Sequence, residues 1–485
     1  VSTLLASSLV FTALAVPAFA DGDDGVRADG SLYAVARQVR ADKIDASGRG
    51  VQIALIDTGI VDVPGLRHSN IVIGPDFSFE DMSPELRARD TNGHGTHLAG
   101  IMVASDAAWV AGDTTRREGR ALGIAPDAEL ISIKVGTASG EADVTQVIAA
   151  IDWVIENKDA PGYEIRVLNL AYGTDGRQDY RIDPLAHAVE RAWHAGIVVV
   201  VAAGNNGMAG GLANPALDPY VIAVGGTEAS QGWQQAVADF SSDGSGRGVD
   251  IVAPGRSVVS LRNPGSFSDL SNDEGRVGDW LVRGTGTSQA SAVVAAGVAL
   301  LLELRPELTP DQVKAAIMWS ADKLTASDTT APGYLNVQRA AMMHFVEGTA
   351  DRRLADAVQT WERSTGTGSI QEARGSHILE LDGVPLIGEI DIFGNSWTGN
   401  SWTGNSWTGN SWTGNSWTGN SWTGNSWTGN SWTGNSWTGN SWTGNSWTGN
   451  SWTGNSWTGN SWTGNSWTGN SWTGNSWTGN SWTSI

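Results

Sequence analysis

The chain has 485 residues, 51 acidic against 30 basic for a formal net charge of −21, and no cysteine. This excludes disulfide staples and a thiol nucleophile, and the acidic balance argues against nucleic acid or an anionic membrane surface as partner. A segment of about 300 residues buries roughly three quarters of its unfolded surface, so one large core forms without staples.

Residues 1–20, VSTLLASSLVFTALAVPAFA, read as a secretory signal peptide. An apolar run to Val16 precedes Ala18-Phe19-Ala20, which puts small residues at both recognition positions of an A-x-A cleavage site. The run falls short of the roughly 20 residues of a membrane span, so the expectation is export to the cell surface or the medium. Residues 21–35 form a short acidic, glycine-bearing segment. Over 36–349, apolar strand-like runs alternate with helical periodicities, which predicts an α/β fold of three layers with a mainly parallel sheet. Residues 51–56 form a β-rich apolar run, and AELISIKV (128–135) is a second strand. In 143–157, Val144, Val147, Ile148, Ile151 and Ile155 recur at helical spacing. IRVLNLAYG (165–173) and GIVVVVAAGN (196–205) are two more buried strands, each ending at a glycine-bearing turn.

Three blocks in a fixed order carry the chemistry: ALIDTG around Asp57, NGHGTHLAG around His94 and GTGTSQASA around Ser288. They supply a carboxylate, an imidazole and a hydroxyl. Serine becomes a useful nucleophile when a base takes its proton, and the base works best when a buried acid fixes its tautomer. Asp57 ends a strand, where α/β folds place their sites. Ser288 precedes a long run of small apolar residues, so its hydroxyl lies near a helix N-terminus that favours developing negative charge.

Those blocks, from about Ala36 to Ala341, resemble the subtilisin-like serine peptidases (subtilases), whose acid, base and nucleophile follow in the order Asp, His, Ser. The resemblance implies a secreted serine endopeptidase in which Asp57 orients, His94 acts as base and then acid, and Ser288 attacks the scissile carbonyl. Asn205, in the setting AAGN, matches the family's oxyanion asparagine and would act with the Ser288 N–H. Ala171, Tyr172 and Gly173 resemble the strand that pairs with the extended substrate, and Thr137, Ala138, Ser139 and Gly140 its partner across the cleft, both acting by strand addition. Apolar or aromatic substrate side chains are expected beside the cut. The chain also departs from the family: Gln289 stands where methionine is usual, Ala292 where proline is, and Tyr172 where leucine is common. Secreted members carry a pro-domain of several tens of residues, and 21–35 is too short to be one.

No metal site is expected. His97 follows His94 by three residues, but H-E-x-x-H is absent and His97 reads as a structural helix residue. No cofactor is expected. Calcium stays chemically open without a place, because 105–123 does not match the family's calcium loop. Asn214–Pro215 is chemically open to either peptide isomer.

Residues 350–376 read as a polar linker, and 377–393 as a β-hairpin about Asp382-Gly383. From 394 to 485 the pentapeptide G-N-S-W-T repeats, with 18 of the chain's 25 tryptophans and no charged residue. Glycine, asparagine, serine and threonine disfavour a helix; short strands stacked as a solenoid are the ordered alternative. So many rings exceed the apolar surface a soluble monomer exposes, which points to self-association or to a cell-wall polymer or other surface partner. Polypeptides are the expected substrates. Two other readings stay open: a surface-binding or structural protein with a weak or inactive peptidase domain, and a peptide ligase or cyclase on the same scaffold.

Overall fold

The computed structural model describes residues 30–67, 70–81, 83–105, 110–112, 114–116, 121–207, 210–228, 236–244, 247–324, 333–343, 352–381, 384–392, 396–397, 401–404, 407–469, 472–479 and 482–484. The signal-peptide reading, most of the segment that follows it and the Asp382-Gly383 turn lie outside these residues, as do parts of the loop considered for calcium. The chain divides into two compact units, Val1–Gly176 with Ala188–Arg363, and Arg177–His187 with Ser364–Ile485.

In the first unit the chain order is α1 (Leu32–Gln38), β1 (Gln52–Asp57), β2 (Ile71–Asp76), α2 (His94–Val103), β3 (Glu129–Lys134), α3 (Val144–Asn157), β4 (Ile165–Leu170), α4 (Pro184–His194, which starts in the other unit), β5 (Val198–Ala202), β6 (Ile222–Glu228) and β7 (Ile251–Arg256). There follow β8 (Val258–Leu261), α5 (Phe267–Ser271), β9 (Arg276–Val277), β10 (Leu281–Gly284), α6 (Thr287–Leu304), α7 (Pro310–Ser320) and α8 (Val337–Met342). Seven strands form one sheet in the order β2-β3-β1-β4-β5-β6-β7, every neighbouring pair parallel. Val198 to Ala202 are buried throughout, and β1, β3 and β4 nearly so. Such strands need cover on both faces, which explains their continuous apolar runs.

The order reverses at β1, which pairs with β3 on one side and β4 on the other. Loops leaving the carboxyl ends of β3 and β4 therefore diverge, and a crevice opens where Asp57 ends β1. Helix α3 begins as its sequence dictates: Asp143 accepts from the Thr145 N–H, and Gln146 returns a bond to the Asp143 N–H. Helix α6 is long and apolar enough to cross a membrane, yet 89% of it is buried inside the protein. It packs against β1, β4, β5, β6 and β7 and against α2, so it is a core helix.

Two lysines are buried with oxygen partners, the arrangement a desolvated ammonium requires. Lys134 Nζ reaches the carbonyls of Arg89 at 2.6 Å and Thr58 at 3.2 Å and pairs with Glu80 at 2.8 Å. Lys314 Nζ donates to the carbonyls of Pro219 at 2.7 Å and Val221 at 2.8 Å, with Asp250 at 3.2 Å. The Asn214–Pro215 bond is cis.

Helix α9 (Arg352–Ala355) precedes the unit boundary. In the second unit, Ser364 donates to the Asp183 carbonyl at 3.0 Å, and Gln178 to that of Ser369 at 2.7 Å. Helix α10 (Ile370–Arg374) buries Ile370, Ala373 and Arg374, and Arg374 donates to the Gly388 carbonyl at 2.8 Å. The segment read as a linker is thus partly helical and partly buried. Glu380–Leu381 and Val384–Pro385 pair antiparallel.

The repeat is extended. Ser401 pairs parallel with Ser421, Trp452 with Trp472 and Trp462 with Trp482. The offset is the same each time and equals four pentapeptides. A straight strand covering Trp407–Gly469 would run to about 200 Å and could not pair in this way. The backbone therefore coils, and like residues share a register column.

Candidate active site

Asp57 is placed by β1, whose last residue pairs with Lys134. Its Oδ1 and Oδ2 lie 2.7 and 3.0 Å from His94 Nδ1. The carboxylate is also held from its own side, since the Thr58 N–H donates to Oδ1 at 2.8 Å.

His94 is the first residue of α2. Gly93, at φ 102°, supplies the left-handed turn into the helix but no side-chain cap. Gly95 is required for space: a Cβ there would stand 2.1 Å from the Gly59 carbonyl oxygen and 3.2 Å from Asp57 Oδ1. The cap comes from Asp90, whose carboxylate accepts from Gly93 N at 2.6 Å, Thr96 N at 2.8 Å and Thr58 Oγ1 at 2.8 Å. The Thr58 hydroxyl accepts in turn from Gly95 N at 3.0 Å. Asn92 Oδ1 accepts from His94 N at 3.2 Å, so Asp90, Thr58 and Asn92 together lock the imidazole's helix to its acid. Burial pushes the Asp90 carboxyl above its ordinary value despite these bonds. Burial pulls His94 down, but the charge and hydrogen bond of Asp57, with the charge of Asp90, outweigh it and leave the imidazole above its ordinary value. A neutral His94 whose Nδ1–H faces Asp57 presents Nε2 as a base.

Ser288 is the second residue of α6, and Gly286 before the helix makes no side-chain cap. The Thr287 N–H donates to Asn205 Oδ1 at 2.8 Å, and the Thr287 hydroxyl at 3.1 Å. With Oδ1 so occupied, Nδ2 is the end of the amide that Asn205 can offer as a donor.

Asp57, His94, Asn205 and Ser288 line one open cleft. Of the residues expected to bind substrate, Gly140, Ala171 and Tyr172 line it as well; Thr137, Ala138, Ser139 and Gly173 do not. Thr137 to Gly140 is a turn rather than an extended strand, closed by Gly140 N on the Thr137 carbonyl at 2.9 Å. Both main-chain groups of Ala138 are engaged, its N–H with Glu80 at 2.9 Å and its carbonyl with Asn92 at 2.8 Å. Burial pushes Glu80 up, but hydrogen bonds from Lys134, Thr91 and Ala138 outweigh it and hold its carboxyl below the ordinary value. The Tyr172 hydroxyl donates to the Ala142 carbonyl at 3.3 Å, tying the two walls together. Gly136, Ala142, Thr285 and Gln289 line the cleft without having been expected there, apart from Gln289 as a polar neighbour. Asp57 is the sole carboxylate among the lining residues.

His97 is buried on α2 and driven down to about 3 by burial and the charge of His94, so it is neutral. Among the described residues no group of three His, Asp or Glu has the geometry to hold a metal.

Residues 48–368 match the model of the subtilase family, peptidase S8. Serine protease AprX of Bacillus subtilis strain 168 is 37% identical over 299 residues, which cover 59% of this chain and 64% of that protein. The match thus spans a little under two thirds of AprX. Subtilisin DY of Bacillus licheniformis is 33% identical over 309 residues, 62% of this chain and 96% of the relative. A solved structure of proteases from Pseudoalteromonas arctica PAMC 21717 superposes with a TM-score of 0.51 at 22% identity, over 64% of this chain and 94% of that one, a likeness in fold alone.

Proposed function

The chain belongs to the subtilase family, and from that premise we propose that it is a secreted serine endopeptidase working through an acyl-enzyme. The observation that carries this reading is the Asp57–His94 pair, 2.7 Å apart, in the same cleft as Ser288 and Asn205. Ser288 Oγ attacks the scissile carbonyl while His94 Nε2 takes its proton. Asp57 holds the tautomer and stabilises the imidazolium. The oxyanion is met by Asn205 Nδ2 and the Ser288 N–H, the latter favoured by the α6 dipole. His94 returns the proton to the leaving amine, and water then hydrolyses the ester by the same steps in reverse. Substrate backbone adds beside Gly140 and Ala171, and the apolar wall with Tyr172 favours apolar or aromatic residues. A fluorophosphonate probe labels the folded chain and not Ser288→Ala; equal lack of labelling in both would remove the reading. Joined peptides rather than free carboxylates among the products would favour a ligase on the same scaffold.

The repeat tail supports a second role, retention at the cell surface through an uncharged wall polymer. Tryptophans recur every five residues without a charge, and the pairing of Trp452 with Trp472 puts them in common columns. Flat aromatic surfaces flanked by hydroxyl and amide residues suit sugar rings better than anionic lipid. The full chain is expected to stay with isolated cell walls and a chain ending at Gly388 to wash off. Equal retention would remove this role.

A further inference from the structure

Gln289 follows the proposed nucleophile, lines the cleft and is 1% exposed, yet among the described residues neither its Nε2 nor its Oε1 has a hydrogen-bond partner. A buried primary amide without partners is a costly arrangement that native proteins rarely leave unresolved. His97 Nε2 has the same standing. His97 is neutral and engages the Leu261 backbone. A ring nitrogen on a carbonyl must be the one that carries the proton, so Nε2 is a bare acceptor.

These orphans belong to one place. A Cβ on Gly284 would lie 2.5 Å from His97 Nε2 and 2.6 Å from Gln289 Nε2, which puts the two nitrogens within about 5 Å of each other. A Cβ on Gly286 would lie 3.0 Å from Gln289 Oε1 and 3.3 Å from Asn205 Nδ2. Gly286 is extended, at φ 162°, so what crowds a side chain there is the Gln289 and Asn205 amides and not backbone conformation. The amide is therefore wedged between two glycines of the strand-to-helix connection, with one end toward His97 and the other toward Asn205.

We propose that one buried water bridges Gln289 Nε2 and His97 Nε2, and that the amide it pins is a positioning residue for the Gly284–Ser288 connection. The water accepts from the amide N–H and donates to the imidazole lone pair, so a donor and an acceptor that make no direct bond are both satisfied. The pinned amide then sets the path of Gly284 to Gly286. That path places Thr287, whose N–H and hydroxyl hold Asn205, and the nucleophile after it. Gln289 acts through these groups and touches no reacting atom. The inference rests on the peptidase reading above, and the structural readout below is independent of activity.

The test uses the full chain, Gln289→Met, which keeps the volume and removes the amide, and Gly284→Ala, whose methyl group would press on both nitrogens and drive them off a shared water. A high-resolution crystal structure of the native chain is expected to show one ordered water within 3.2 Å of both nitrogens, by the usual limit for a hydrogen bond. Each variant should lose about tenfold in kcat with KM little changed, and affinity for a peptide boronate should fall in parallel. The double variant should lose no more than the worse single one, because both remove the same bridge. No ordered water between the nitrogens would overturn the proposal, and so would additive losses or a native kcat in Gln289→Met. If either variant fails to melt cooperatively, the water in the native crystal and its absence from a Gln289→Leu crystal decide the matter. An inactive native chain with the water in place would count against the peptidase reading and not against this site.

Discussion

Helices α2 and α6 both start at a glycine that supplies no side-chain cap, and both carry a reactive side chain in the first turn. They treat their exposed N–H groups in opposite ways. At α2 these groups are filled: Asp90 takes those of Gly93 and Thr96, Thr58 that of Gly95, and Asn92 that of His94 at 3.2 Å. At α6 the Thr287 N–H is taken by Asn205, and no protein acceptor for the Ser288 N–H is seen among the described residues. A filled terminus makes a rigid platform for a base. An open one is an anion site, and in this cleft the anion would be the tetrahedral intermediate.

The sharpest way to break the contrast is to remove one acceptor from each terminus. Asn205→Ala takes the side-chain donor from the open end, and kcat should fall by about 10²- to 10³-fold. Thermal stability should fall by less than in Asp90→Ala, since Asn205 is exposed and water can replace Oδ1 as the acceptor for the Thr287 N–H and hydroxyl. Steady-state kinetics with a peptide substrate and a melting curve decide it; a large fall in melting temperature with modest loss of kcat would reverse the assignment.

Asp90→Ala should behave in the opposite manner. It leaves two backbone N–H groups and the Thr58 hydroxyl without their buried acceptor, a cost of about 1–3 kcal/mol. The melting temperature should drop by several degrees, while kcat of the folded fraction falls by less than in Asn205→Ala. An unchanged melting temperature would mean that the α2 terminus is held by other contacts.

The asymmetry also explains what was readable in the sequence. Asp57, His94, Asn205 and Ser288 each sit in a local signal: a strand end, a glycine-flanked helix start, a strand-to-turn junction, a run of small residues. Their positions in the fold follow from segments of a few residues, and the roles proposed for them from the family resemblance those segments carry. Thr58 acts only through the fold, because Asp90 and Gly95 meet it when β1 and α2 pack, whereas Asp90 also caps Gly93 and Thr96 within its own segment, an acidic signal ahead of a helix that went unread. Thr137 to Gly140 shows the same limit from the other side. It reads as an extended partner for substrate, but Glu80 and Asn92, 58 and 46 residues away, take both main-chain groups of Ala138 and leave a turn. Of the seven sheet strands, β1, β3, β4 and β5 were legible, since strands buried on both faces have continuous apolar runs; β2, which is only partly buried, and β6 and β7 were not read. The coiling of the tail was not, because a five-residue repeat states its period and not how many repeats make one turn.

The filled terminus has a consequence in pH, smaller than either substitution. His94 is raised above its ordinary value because Asp57 and Asp90 outweigh the effect of burial. Catalysis needs the neutral ring, so the acid limb of kcat/KM should have its midpoint above 6.5, the ordinary imidazole value. Stability runs the other way. A histidine whose folded value is raised binds its proton more tightly when folded, so its contribution is complete below 6.5 and is lost as pH rises through the folded value. Activity should therefore rise over the same interval in which the His94–Asp57 pair contributes less to stability. Denaturant unfolding at pH 5.5 and pH 8 should show the native chain losing more stability across that interval than His94→Ala does. An acid limb at or below 6.5 would mean that burial prevails over the carboxylates, and the platform at α2 would then be less negative than its hydrogen bonds imply.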